Sequence, residues 1–247
     1  MEKINPIWRS ANEQECLGMG QVHVWRADLS MAAQAADNLG AVLSDDERAR
    51  AARYLRREDR SRFIAARAIL RQILAHYTKV SPESLSFVYG EHGKPALAEG
   101  LGDEGVEFNM SHSGEMALYA AARRCRVGVD IESPRPSVNY MRIAERFFSI
   151  EEYEELVALP AEDQYSAFYR CWTRKEAYVK ARGDGIAAGL DTFSASLEEG
   201  PKLLRSDDGS DEIDRWRFLA LQPGDQYVAA LCVAGQDMKL SCLEWSL

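Results

Sequence analysis

The chain has 247 residues, 46% hydrophobic and 28% charged, a balance that builds a folded core and excludes a disordered tail protein. Its 30 basic and 39 acidic residues leave a formal charge of −9, which argues against broad attraction to nucleic acid or anionic lipid. No apolar run approaches the roughly 18 residues a membrane span needs; the longest, 116–122, is strand-sized, and residues 1–6 carry no hydrophobic signal core. A cytoplasmic protein with neither membrane nor nucleic acid as partner is expected.

Taken in order, Ser44 followed by Glu47 reads as a capped helix start, and Phe63, Ile64, Ala66, Leu70, Ile73 and Leu74 continue an apolar stripe at helical spacing. The stretch 48–71 holds nine arginines against Glu58 and Asp59. Such a surplus is either a solvated helix face or a holder of a phosphorylated molecule or acidic protein face. Leu85, Phe87 and Tyr89 alternate as in a strand, and Gly93-Lys94-Pro95 sits in the turn-rich loop that follows.

Around residue 120 three strands are predicted as a meander, near 106–111, 116–122 and 127–132, with the division between two α+β halves there. Successive strand side chains face opposite sides, so Asp130 and Glu132 share a face with Cα atoms roughly 6.6 Å apart. Gly128, on the same face, is expected to leave room for a ligand. Magnesium suits two such carboxylates, since it keeps waters and takes remaining ligands from substrate phosphates. A solvent-facing polar strand is the plain alternative.

Ser149 with Glu152 forms a second capping-box pattern, which accounts for Glu152 without catalysis. From 161 to 182, Tyr165, Phe168, Tyr169, Trp172 and Val179 mark the inward face of a helix. Glu176 falls within that stripe, where burial raises a carboxyl pKa toward the range useful for proton transfer. Lys180 follows one turn on, so an ordinary surface pair four residues apart is the competing reading. Ser111 and His112 end a strand and offer a hydroxyl and an imidazole for phosphate binding. Adjacent strand residues point apart, which excludes a nucleophile with its own base.

Cysteines 16, 125, 171, 232 and 242 are odd in number, scattered and never in a C-x-x-C spacing, so they read as reduced and mostly buried. The four histidines form no pair at ligand spacing, so any metal would be oxygen-ligated.

Gly93-Lys94-Pro95, Asn109-Met110-Ser111-His112-Ser113, Gly128-Val129-Asp130-Ile131-Glu132, Arg146-Phe147-Phe148-Ser149 with Glu152, and Trp172-Thr173-Arg174-Lys175-Glu176-Ala177-Tyr178-Val179-Lys180 occur in this order. Together they resemble the Sfp-type 4′-phosphopantetheinyl transferase family. The resemblance implies two similar α/β halves related by a pseudo-twofold axis, 1–123 for the coenzyme A nucleotide and 124–247 for magnesium and catalysis, with the site in the cleft between them. It implies transfer of the phosphopantetheine arm of coenzyme A to a serine of an apo acyl or peptidyl carrier protein, releasing adenosine 3′,5′-bisphosphate. It further implies Asp130, Glu132 and Glu152 as magnesium ligands, Glu176 as general base, and Lys180 steadying phosphate charge or protonating the leaving group. Ser111 and His112 would contact coenzyme A phosphates, Lys94 the nucleotide end, and Arg62 with Arg50 the 3′-phosphate. Relatives carry lysines near the first cap, where this chain has Glu47 and Arg50. A monomer is expected.

A metal nuclease built on Asp130 and Glu132 would place a lysine two residues after the second carboxylate, where Pro134 stands. A nucleic-acid module built on the arginine-rich helix conflicts with the overall acidity.

Overall fold

The computed structural model describes residues 7–11, 15–100, 105–185 and 189–246, with Met31 and Asp37 as backbone only; the amino-terminal hexapeptide considered above lies outside them. β1 (Trp8–Ser10) and β2 (Gln21–Asp28) lead into α1 (Leu29–Gln34), α2 (Ala36–Leu39), α3 (Asp45–Ala51) and α4 (Arg57–Thr78). The hairpin β3 (Phe87–Tyr89) and β4 (Pro95–Leu97) precedes β5 (Val106–Ser113), β6 (Met116–Arg123) and β7 (Val127–Glu132). Then come α5 (Tyr140–Phe147), α6 (Ile150–Ala158), α7 (Ala161–Arg182), β8 (Phe193–Ala195) and β9 (Leu203–Ser206). The chain closes with α8 (Asp211–Arg215), β10 (Trp216–Leu221), β11 (Val228–Ala234) and β12 (Lys239–Glu244).

The fold is α+β, and each half lays a 22-residue helix, α4 or α7, against a sheet. One sheet runs β1-β12-β2-β6-β5 and the other β10-β11-β7. Because strand side chains alternate in direction, each sheet buries two sets of residues. Trp25, Phe108, Tyr119 and Ala121 pack against Ala65, Ile69, Leu70 and Ile73 of α4. From the opposite face, Val22, Val24, Leu118 and Ala120 meet Val127, Val129, Ile131, Leu219 and Leu231 of the second sheet. That sheet's outer face, with Phe218, Ala230 and Cys232, carries Ala177, Tyr178 and Ala181 of α7. Double-sided burial explains why the β6 run 116–122 is apolar without alternation.

Three sequence expectations are corrected. The meander does not form one ladder: β6 pairs β5 and β2, whereas β7 pairs β11 in the other sheet. Arg124 takes a left-handed φ of 51° in the connection, turning the chain out of the first sheet. The arginine-rich segment is two helices, since α3 ends at Ala51 and α4 starts at Arg57. Gly128 leaves no room for a ligand, because a Cβ there would lie 2.1 Å from Ala177 O and 2.3 Å from Ala181 N. Its missing side chain instead lets α7 settle directly on β7. In the first sheet β12, from the far end of the chain, lies between β1 and β2.

Candidate active site

β5 and β7 run side by side at the join of the two sheets, held by side chains in place of a backbone ladder. Val129 N–H donates to Asn109 Oδ1 at 2.9 Å. Ser111 Oγ donates to Asp130 Oδ1 at 2.9 Å, and Ser113 Oγ to Glu132 Oε2 at 3.2 Å. The close seating of α7 on Gly128 brings Lys180 to the same place, where its Nζ donates to Ser111 Oγ at 3.0 Å and to Asp130 Oδ1.

Glu176, one turn before Lys180, is only 8% exposed. Burial first, then the Asp130 charge, push its carboxyl up to about 7, against the pull of Lys180. Glu132 is raised as well, by burial and by Asp130, against hydrogen bonds from Ser113 and Trp172. Asp130 Oδ2 and Glu176 Oε1 are buried oxygens without a hydrogen-bond partner. Acidic groups held at raised pKa beside orphaned oxygens mark a spot short of positive charge, which a divalent cation fits. Among the described residues no three His, Cys, Asp or Glu side chains form a ready metal cluster. Asp130 and Glu132 are the pair suited to an ion that takes its other ligands from phosphate and water.

Glu152 is not brought to that pair. Its carboxylate accepts from Lys175 Nζ at 2.6 and 2.8 Å, from Ala195 N at 2.6 Å and from Ser149 N at 2.8 Å. Lys175 and Glu176 are neighbours on α7 and so point about 100° apart, one to each side. The capping box is present as expected, but the side chain is fully committed inside the protein.

The remaining expected residues make contacts of their own. His112 is exposed at the end of β5, its imidazole held below its ordinary value by desolvation and by the Lys180 charge. Arg62 reaches Glu115 in the β5–β6 turn at 3.5 Å, and the Arg50 guanidinium lies over the Phe63 ring at 5.5 Å. Lys94, in the β3–β4 turn, reaches the start of β7 with its ammonium. It donates to Ala181 O at 3.1 Å and Val127 O at 3.4 Å, and burial lowers its pKa.

Asn109, Ser113 and Lys175 stand in the blocks quoted for the resemblance, but sequence reasoning gave them no role. Asn109 and Ser113 share the Ser111 face of β5 at period two, a signal present in the sequence. The pairing of Lys175, 0% exposed, carried no local mark because its partner lies 23 residues away.

Residues 126–232 match the pattern of the 4′-phosphopantetheinyl transferase superfamily, and residues 28–124 match that of the 4′-phosphopantetheinyl transferase amino-terminal region. 4′-Phosphopantetheinyl transferase HetI of Nostoc sp. is 41% identical over 215 residues, covering 87% of this chain and 88% of that protein. The chain belongs to the 4′-phosphopantetheinyl transferase superfamily. A 4′-phosphopantetheinyl transferase of Bacillus subtilis is 32% identical over 212 residues, 85% of this chain and 90% of that protein. 4′-Phosphopantetheinyl transferase Sfp of Bacillus subtilis strain 168 is 30% identical over 195 residues, 79% and 84% of the two chains. Within this transferase the cluster straddles both matched regions. Ser111 and His112 come from the first, and Asp130, Glu132, Glu176 and Lys180 from the second.

Proposed function

We propose that the chain transfers the 4′-phosphopantetheine arm of coenzyme A to a serine hydroxyl of an apo acyl or peptidyl carrier protein, with magnesium, releasing adenosine 3′,5′-bisphosphate. The observation that carries this reading is the gathering of Asp130, Glu132, Glu176 and Lys180 around two buried carboxylate oxygens that lack a hydrogen-bond partner. Asp130 and Glu132 would hold the ion; when bound, magnesium neutralises pyrophosphate charge. Glu152 is left out of this ligand set because its oxygens already serve Lys175 and two backbone amides.

In this reading Glu176 accepts the proton of the carrier serine, a task that suits a carboxylate with a pKa near neutral. The serine oxygen forms a bond to the phosphorus that bears pantetheine, and the bond from that phosphorus to the nucleotide phosphate breaks. Lys180 steadies the negative charge left on the departing oxygen, or protonates it. Ser111 and His112 contact the coenzyme A phosphates, Arg62 and Arg50 the 3′-phosphate, and Lys94 the nucleotide end. Much of the rate gain then comes from positioning and charge neutralisation.

The division into a nucleotide-binding half at 1–123 and a metal and catalytic half at 124–247, with the site in the cleft between them, belongs to the same reading. So do a cytoplasmic location, in keeping with cysteines that are all free, and a monomeric working form, which light scattering after size exclusion checks.

The decisive experiment incubates the pure protein with coenzyme A, magnesium and a panel of apo carriers. A carrier mass increase of one phosphopantetheine, lost on chelation, is expected. Asp130→Ala should abolish transfer with the fold intact, and full activity in that variant overturns the metal assignment.

A further inference from the structure

We infer that Ser113 is a positioning residue that aims the Glu132 carboxylate, an inference resting on the proposed metal reading of Asp130 and Glu132. The Ser113 hydroxyl sits between two groups with fixed demands. Its oxygen accepts the Ser133 N–H at 3.0 Å, and its proton goes to Glu132 Oε2 at 3.2 Å. A hydroxyl has one proton, and an ionised carboxylate can only accept. With the Ser133 amide on the oxygen, the hydroxyl proton is left for Glu132, and that bond holds the carboxylate toward β5.

The same device recurs one rung earlier, where Ser111 Oγ accepts from Lys180 Nζ and donates to Asp130. Asn109 completes the series by satisfying the Val129 amide on the edge of β7 that faces away from β11. Side chains 109, 111 and 113 therefore stitch one sheet to the other and set the direction of both carboxylates. Ser111 carries a proposed substrate contact besides. Ser113 serves as the cleaner probe, because each of its polar contacts is directed at Glu132 or at the backbone beside it. Partners that orient ligating carboxylates typically matter about 10- to 100-fold in metal affinity or activity.

The test is calorimetric titration of magnesium into the complex of protein and coenzyme A without carrier, so that no turnover occurs, on wild type, Ser113→Ala and Ser113→Thr. Ser113→Ala should raise the magnesium concentration for half-saturation about 10-fold, and Ser113→Thr, which keeps the hydroxyl, should stay near wild type. Melting temperatures recorded alongside separate aim from folding. A melting loss in Ser113→Ala with magnesium affinity within twofold of wild type would overturn the inference and leave Ser113 a structural residue. Absence of magnesium uptake by the wild-type complex would instead bring down the metal reading, and this inference with it.

Discussion

Lys175 and Glu152 form an ion pair closed to solvent: the ammonium is 0% and the carboxylate 1% exposed, with Nζ 2.6 Å from Oε2. The same ammonium donates to Phe193 O at 2.7 Å, so the pair ties α6, α7 and β8 together. Removing one partner strands a buried charge, which costs about 3–5 kcal/mol. Glu152→Gln should therefore lose about that much stability in urea unfolding, and adding Lys175→Met should return part of it. Transfer per folded molecule should persist in Glu152→Gln, since neither oxygen is available to an ion. Loss of transfer at wild-type stability would move Glu152 into the metal shell.

Glu152 also shows how far the sequence could be read. Its capping box depends on residues three apart, so Ser149 and Glu152 were enough to find it. Its ion pair depends on α7 packing over α6, which no local pattern encodes. The same limit separates the strands from their sheets. Val127, Val129 and Ile131 announced β7, but its pairing with β11, roughly a hundred residues away, was invisible. Asp130, Glu132, Glu176 and Lys180 were legible because period-two and helical spacing placed each on its face. Their meeting hung on Gly128, whose role depends on a helix that arrives fifty residues later in the chain.

Acid should unpick the amino-terminal half through Glu47. Its carboxylate, 2% exposed, is bonded by Arg71 Nε at 2.6 Å and Arg67 Nε at 2.7 Å. Burial would raise its pKa, but the two guanidiniums outweigh that and hold it below the ordinary value. A depressed carboxyl contributes stability above its unfolded pKa of about 4.3 and loses it as pH falls through the lower folded value. The stability gap between wild type and Glu47→Gln should be flat from pH 7 to about 5 and shrink below about 4. Unfolding by denaturant across that range measures it; a gap unchanged down to pH 2 would show that Glu47 is not the titrating group.

Gly128→Ala sets backbone against backbone. The new methyl would meet Ala177 O, Ala181 N and Ala181 Cα at 2.1, 2.3 and 2.9 Å, and none of these can rotate aside as a side-chain tip would. α7 must lift from β7, drawing Glu176 and Lys180 away from Asp130. A loss of about 1–3 kcal/mol or more is expected from overpacking, with transfer activity falling further than the folded fraction does. Wild-type activity in this variant would mean that the contact between α7 and β7 does not set the site.

As the proposed base, Glu176 must be ionised to take a proton, which fixes the sign of the pH profile. Its carboxyl stands at about 7, raised first by burial and next by Asp130, so a falling pH protonates it and removes the base. The acid limb of kcat/KM should bend near neutral, well above an ordinary glutamate, because that quantity reports groups of the free enzyme. The limb of kcat should bend lower, since the proposed ion, if held at Asp130, would offset the charge that helps hold Glu176 protonated. Glu176→Gln should abolish the bend and lower kcat by about 10²- to 10⁴-fold, the usual worth of a positioned base, while coenzyme A binding stays near wild type. An equal loss of turnover and binding would make Glu176 a ligand contact and leave the serine proton to some other acceptor.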